Sequence, residues 1–118
     1  MTKPPKIANK NCRSYVEDRI AFDGSNLWGA WHKPIFTEVT DKHYVVYSFG
    51  HHFPIYIYDD NTWQWFGNKD KFSQSTGRHQ SQARPNDVDI TWLTTAGMST
   101  LAVVGYTELI KRRLGVSA

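Results

Sequence analysis

The sequence predicts an α+β fold, an antiparallel β-meander of about five to six strands packed by one C-terminal helix. Three observations predict it. Residues 43–49 and 53–58 alternate their large side chains between two faces, the period of a strand. Turn-forming clusters, Asp23-Gly24-Ser25 and Asp59-Asp60-Asn61, separate such runs at hairpin spacing. Residues 96–113 carry Met98, Leu101, Val104, Tyr106, Leu109 and Ile110 around most of a helical circumference.

In chain order, residues 1–11 hold two prolines and three lysines and read as a flexible basic arm; residues 12–118 read as a single α+β domain. From Ser14 to Phe22, Val16, Ile20 and Phe22 oppose Glu17 and Arg19, which predicts a first strand. The Asp23-Gly24 step supplies the positive φ of a tight hairpin, and residues 27–36 return, with Pro34 marking an edge or a bulge. His43 to Phe49 is the strongest strand signal: Val45, Tyr47 and Phe49 share one face, and Tyr44, Val46 and Ser48 the other. Gly50 permits a kink before His51 and His52. Phe53 to Tyr58 then places Ile55 and Ile57 opposite Tyr56 and Tyr58, and Thr62 to Phe66 returns. Gly67 to Asp87 is polar and lacks apolar anchors, so it reads as a connection. Val88, Ile90 and Trp92 form the last strand, and Thr95 is the expected N-cap of a helix over Ala96 to Arg113. Lys111, Arg112 and Arg113 suit that helix's last turn, with Gly115 as its C-cap.

Aromatic residues make up 14% of the 118 residues, enough to build a core because each buried ring removes on the order of 150–250 Å² from water. The first twenty residues contain no signal-peptide-like apolar stretch and the Leu101–Tyr106 run is too short for a bilayer, so the expectation is a cytoplasmic protein without a membrane partner. Cys12 is the only cysteine and cannot form an internal disulfide.

The net charge of +3 is unevenly spread. Residues 1–16 carry Lys3, Lys6, Lys10 and Arg13 with no acid; residues 71–86 carry Lys71, Arg78 and Arg84 with no acid; the tail carries Lys111, Arg112 and Arg113. The other residues hold four basic and eleven acidic side chains. If the three basic blocks meet in space they form a polyanion surface.

The acid-free stretch supplies the candidate ligand- or nucleic-acid-binding residues Lys71, Ser73, Ser75, Thr76, Arg78, His79, Gln80 and Arg84. Guanidinium forks, hydroxyls and amides are the donors that an anion requires. The bland alternative is a solvated connection whose Ser and Thr residues cap turns. A phosphodiesterase reading makes His79 the general acid or base, with Arg78 stabilising charge and Asp70 or Asp87 orienting the ring; no fixed spacing supports it, and no catalytic residue is assigned. His51 and His52 are adjacent and face opposite sides of a strand, and no Cys pair or His-x-His motif occurs, so neither a metal nor a cofactor is expected. Trp63, Trp65 and Phe66 beside Tyr56 and Tyr58 read as core in preference to a stacking platform.

The runs Val45-Val46-Tyr47-Ser48-Phe49, Phe53-Pro54-Ile55, Trp63 and Phe72-Ser73-Gln74-Ser75-Thr76-Gly77-Arg78-His79-Gln80, followed by Arg84, carry a resemblance. Together they resemble a family of short uncharacterised proteins of bacteriophages, bacteria and archaea whose shared core reads V-Y-S-Y, P-I-A, W, Y-S-x-T-T-S-R-H-Q. Here Tyr56 stands where the family often has a small residue, Phe72 replaces a tyrosine, Ser75 a threonine and Gly77 a serine. The resemblance implies a viral or mobile-element origin and a β-rich core, and it brings no activity with it. The leading expectation is a small, phage-encoded, non-enzymatic binding protein acting on nucleic acid or on a nucleic-acid-handling host machine, in the host cytoplasm. The alternatives are a protein-directed inhibitor or adaptor of a host or defence protein, and the phosphodiesterase centred on His79.

Overall fold

The computed structural model describes residues 3–32, 43–50, 53–60, 62–71 and 73–102. The fold is α+β: a six-stranded sheet in the order β1-β2-β3-β4-β5-β6, with helices on both of its faces. Its strands are β1 (Phe22–Asp23), β2 (Leu27–His32), β3 (His43–Ser48), β4 (Pro54–Asp59), β5 (Gln64–Asn68) and β6 (Ile90–Leu93). The first five pair antiparallel, as a meander requires. β6 instead runs parallel to β5. A parallel neighbour needs a crossover, and the crossover contains a helix, α2 (Gln74–Ala83), in the stretch whose polarity predicts a connection.

The segment expected to be the first strand is helical at its start. In α1 (Cys12–Glu17), Cys12 and Val16 lie one turn apart and are both fully buried. The helix ends because Arg19 adopts φ 55°, its N–H bonding to the Val16 carbonyl at 3.0 Å and that of Ile20 to the Tyr15 carbonyl at 2.8 Å. This is a Schellman closure with arginine where glycine is usual. The Arg19 guanidinium lies 4.6 Å from the centre of the Tyr58 ring, and its carbonyl accepts from Trp31 Nε1 at 2.8 Å, contacts that offset the left-handed backbone. Beside β1, Asp23 N–H bonds to the Pro5 carbonyl and Ile7 N–H to that of Asp23, extending the β1 edge.

The β1–β2 hairpin forms where expected, but the positive φ falls on Asn26, at 55°. Gly24 is needed for another reason: a Cβ there would stand 2.7 Å from the Leu27 carbonyl oxygen and collide with Asn9 Oδ1. Between β3 and β4 the register shifts at Val46/Tyr47, so that Tyr47 pairs with Pro54 and Val46 with Tyr56. The extra residue is Ile55, which the bulge turns onto the face of Tyr56, away from Ile57.

Every residue of β3 and β4 is buried, because both sheet faces are covered. On one face Tyr44, Val46, Ile55, Tyr56, Tyr58 and Trp65 pack with Cys12 and Val16 of α1 and Ala83 of α2. On the other, Val45, Tyr47, Ile57, Phe66 and Leu93 pack with Met98 and Leu101 of the C-terminal helix, α3. That helix is described over 95–102. Its cap is Thr94, whose Oγ1 accepts from Gly97 N–H at 3.2 Å, one residue earlier than expected. The remainder expected to follow, with the third basic block and Gly115, lies outside the described residues, as do His51, His52 and the end of the strand predicted over 27–36. Among the described residues no helix is long and apolar enough to cross a membrane.

Candidate functional site

The candidate residues converge on α2, and the geometry of that helix divides them. Ser73 is its N-cap, with extended backbone and an Oγ that accepts from Thr76 N–H at 3.1 Å. Thr76, His79, Gln80 and Ala83 form its buried stripe, at helical spacing. Ser75, Arg78 and Arg84 are exposed, as is Lys71 just before the helix. Pro85 follows Arg84, whose φ of −63° and ψ of 120° is the extended geometry imposed on a residue before proline.

One flank of α2 is structural. His79 is 6% exposed, and its Nδ1 lies 2.7 Å from Ser48 Oγ on β3. Asn9 is oriented by two bonds to the Ser25 backbone, which leaves its Nδ2 facing His79 Nε2 at 3.5 Å. That arrangement makes Nε2 the acceptor and Nδ1–H the donor to Ser48. The Phe49 ring stacks on the imidazole at 5.3 Å. Burial, aided by the neighbouring Arg78, lowers the proton affinity of the ring, so it is held neutral. The group paired with His79 is therefore a fully buried serine hydroxyl. Asp70 instead accepts from Thr95 N–H at 2.8 Å and Thr95 Oγ1 at 2.9 Å, bonds that hold its carboxyl below the usual range. Asp87 stands exposed after α2 with φ 60°. Burial pushes the Cys12 thiol up to about 11, which keeps it protonated and unreactive.

The other flank opens into a cleft of about 360 Å³ between α2 and the β5–β6 edge. Gln80, Ser81 and Arg84 line it from the helix, Tyr56, Asn68 and Trp92 from the sheet, and Lys69 and Lys71 from the β5–α2 link. None of these eight residues is acidic. The Arg84 guanidinium lies 5.3 Å from the centre of the Trp92 ring, and Trp92 meets Tyr56 edge-on at 6.3 Å. Trp92 owes its seat to Gly67: a Cβ there would stand 2.6 Å from the indole. The Tyr56 hydroxyl donates to the Gln80 carbonyl at 2.6 Å, and burial, opposed by the nearby Arg84 charge, pushes its pKa up to about 12, which keeps it protonated.

Of the candidates, Lys71, Gln80 and Arg84 meet at the cleft, Ser73 and Thr76 build the helix start, and His79 faces β3. Lys69, Tyr56 and Trp92 join the cleft without a clear sequence signal. Lys69 sits beside Asp70, outside the acid-free run, and the alternation of Ile90 with Trp92 signals a strand but not that Trp92 is 41% exposed. Two of the basic blocks do meet: Arg13 donates from Nε to the Arg84 carbonyl at 2.9 Å and from Nη2 to the Ser81 carbonyl at 2.7 Å. These bonds cap the C-terminal end of α2. Arg13 also lines a shallow depression with Lys10 and Glu17, so cations continue from the cleft over Arg84 onto the N-terminal segment with one carboxylate among them, which accepts from Asn86 N–H at 2.6 Å.

Of the aromatic group read as core, Tyr56, Tyr58, Trp65 and Phe66 are buried, whereas Trp63 is 78% exposed with φ 59° in the β4–β5 turn. His32 and His43 are direct cross-strand partners, and His43 Nε2 bonds to the Ala102 carbonyl at 2.8 Å. Among the described residues no group of three or more His, Cys, Asp or Glu side chains is placed to hold a metal ion. The fold and site define a small α+β domain with a cationic, aromatic-walled cleft beside one sheet edge. Comparison with protein-family models, with curated proteins and with solved structures finds no match to this chain.

Proposed function

We propose that this chain is a small non-enzymatic binding protein for nucleic acid, with its contact surface running from the α2 cleft over Arg84 to Arg13 and Lys10. The observation that carries the reading is the cleft's lining: three cations, no carboxylate and a half-exposed tryptophan. Lys and Arg neutralise phosphates without reading sequence, and an exposed indole stacks on any base face. The docking of Arg13 onto the end of α2 adds the first basic block to the second. The resemblance to phage proteins favours a host-cytoplasmic setting. Fluorescence anisotropy with a labelled single-stranded oligonucleotide tests the reading. Binding should weaken steeply with salt, and Arg84→Ala and Lys71→Ala should each weaken it further. Absent or salt-insensitive binding would reject direct contact.

A specific observation favours a second reading, the protein-directed inhibitor or adaptor. Trp63 is a large aromatic side chain presented at a turn, the residue type that dominates protein interfaces as an anchor. A host protein captured after nuclease treatment and lost with Trp63→Ala would support it; capture indifferent to Trp63 would count against that anchor.

A further inference from the structure

What the cleft can offer a ligand depends on which of its groups are already engaged. The Tyr56 hydroxyl donates to the Gln80 carbonyl, and the Asn68 amide nitrogen to the Pro54 carbonyl and Thr95 Oγ1. Gln80 is 5% exposed, its Nε2 donating to the carbonyls of Asn68 and Asp70. Lys69, Lys71, Ser81 and Arg84 are exposed. Among the described residues the side chains of both lysines and of Ser81 make no hydrogen bond or ion pair. Donors therefore remain, three of them cationic, beside the exposed part of the Trp92 ring.

The engaged groups also close the cleft on two sides. Gln80 ties the β5–α2 link to the helix at Asn68 and Asp70, and Lys69 N–H ties the same link to β6 through the Leu93 carbonyl at 2.9 Å. The bond from Tyr56 to the Gln80 carbonyl, both residues buried, joins sheet to helix along the floor. At the other end the bridge among the described residues is the contact of the Arg84 guanidinium with the Trp92 ring, between two exposed side chains. An internal phosphate of a polymer needs room for chain on both of its sides, and a cleft tied shut at one end and along its floor admits a chain end.

We infer that the cleft receives the phosphorylated end of a nucleotide strand, its terminal phosphate monoester held by Lys69, Lys71 and Arg84. This rests on the nucleic-acid reading and names the part of the strand that the site recognises. A phosphate monoester carries about −1.5 to −2 charges at pH 7 and several terminal acceptor oxygens, against the single charge of an internal diester. Three cations lining one cleft match the monoester. The volume of about 360 Å³ lies at the lower end of the range for small-ligand sites, room for one nucleotide unit. The following phosphates then pass over Arg13 and Lys10. A free mononucleotide carries the same monoester.

The test is fluorescence anisotropy of the full chain with one internally labelled oligothymidylate in four forms: with a 5′-phosphate, with a 3′-phosphate, with neither, and closed into a circle. At fixed salt one phosphorylated end should bind about tenfold more tightly than the bare strand or the circle, the worth of one charged hydrogen-bonding group. Lys69→Ala and Lys71→Ala, at exposed positions, should each shrink that advantage, whereas Lys10→Ala should weaken phosphorylated and bare strands by the same factor. Equal affinity of the four forms, or an advantage untouched by both cleft variants, overturns the inference while the nucleic-acid reading stands. If no form binds, both fail. Thymidine 5′- and 3′-monophosphates, added as competitors, separate the two sources. A mononucleotide that competes as strongly as the phosphorylated strand overturns the strand-end assignment in favour of a free nucleotide; a weaker competitor supports the strand end.

Discussion

Replacing Gly77 by alanine tests whether residues 74–83 are a helix. Gly77 lies inside α2, its backbone is not in the left-handed region, and a Cβ built on it meets no atom within 4 Å. Alanine there keeps the geometry, touches nothing and removes conformational freedom from the unfolded chain. The expected gain is about 0.5–1 kcal/mol. For 118 residues the unfolding entropy is about 250 cal/mol/K, so the gain should raise Tm by roughly 2–4 °C. Gly67→Ala is the matched contrast, because its Cβ would stand 2.6 Å from the Trp92 ring and 2.8 Å from Ile90. Overpacking of that kind costs about 1–3 kcal/mol and should lower Tm. Calorimetry or circular-dichroism melts of both variants decide the matter. A Gly77→Ala variant less stable than wild type would refute the helix, since only a loop or a left-handed backbone would make a small side chain harmful there.

Two further perturbations probe buried groups. Burial lowers the proton affinity of His79 and His43 below the ordinary value near 6.5, so the unfolded chain binds more protons than the fold as pH falls through that value. Their contribution to stability is therefore complete above about pH 6.5 and is lost on acidification until the folded-state values are passed. Urea midpoints at pH 7.5 and 5.5 should show the drop, and His79→Gln should flatten it; a midpoint that rises toward pH 5.5 would contradict the buried, neutral assignment. Arg19→Val should destabilise by about 2 kcal/mol or more, because a β-branched residue fits poorly at φ 55° and the stacking on Tyr58 is lost. Arg19→Gly should cost less than Arg19→Val, and the reverse order in urea denaturation would refute the Schellman closure.

The sequence signals for β3 and β4 held because Val45, Tyr47, Tyr56 and Ile57 alternate with the strand period. Ile55 escaped that logic because a bulge reverses its face, and a bulge leaves no mark in this composition. α2 was hidden by chemistry. Positions 76, 79, 80 and 83 have the spacing of a helical stripe, but three of the four are polar, so hydrophobic periodicity passes over them. Apart from Gln80 Oε1, their buried polar groups are satisfied by Ser73, Ser48 and the carbonyls of Asn68 and Asp70, partners distant enough that local spacing cannot announce most of them. α1 was obscured by alternation at Val16, Ile20 and Phe22 that the positive φ of Arg19 interrupts. At the site, the acid-free run pointed to Lys71 and Arg84. Trp92 joined only through the parallel pairing of β6 with β5, a long-range contact with no local signature, and Lys69 through the same β5–α2 link as Lys71.

The salt dependence of oligonucleotide binding, compared between wild type and the Lys71→Ala/Arg84→Ala double variant, tests the central claim most directly. If these side chains contact phosphates, log K should fall linearly with log salt, and the double variant's slope should be shallower by about 0.7 per lost contact. A double variant with the wild-type slope and affinity would place the nucleic acid elsewhere on the molecule and contradict the assignment of this cleft.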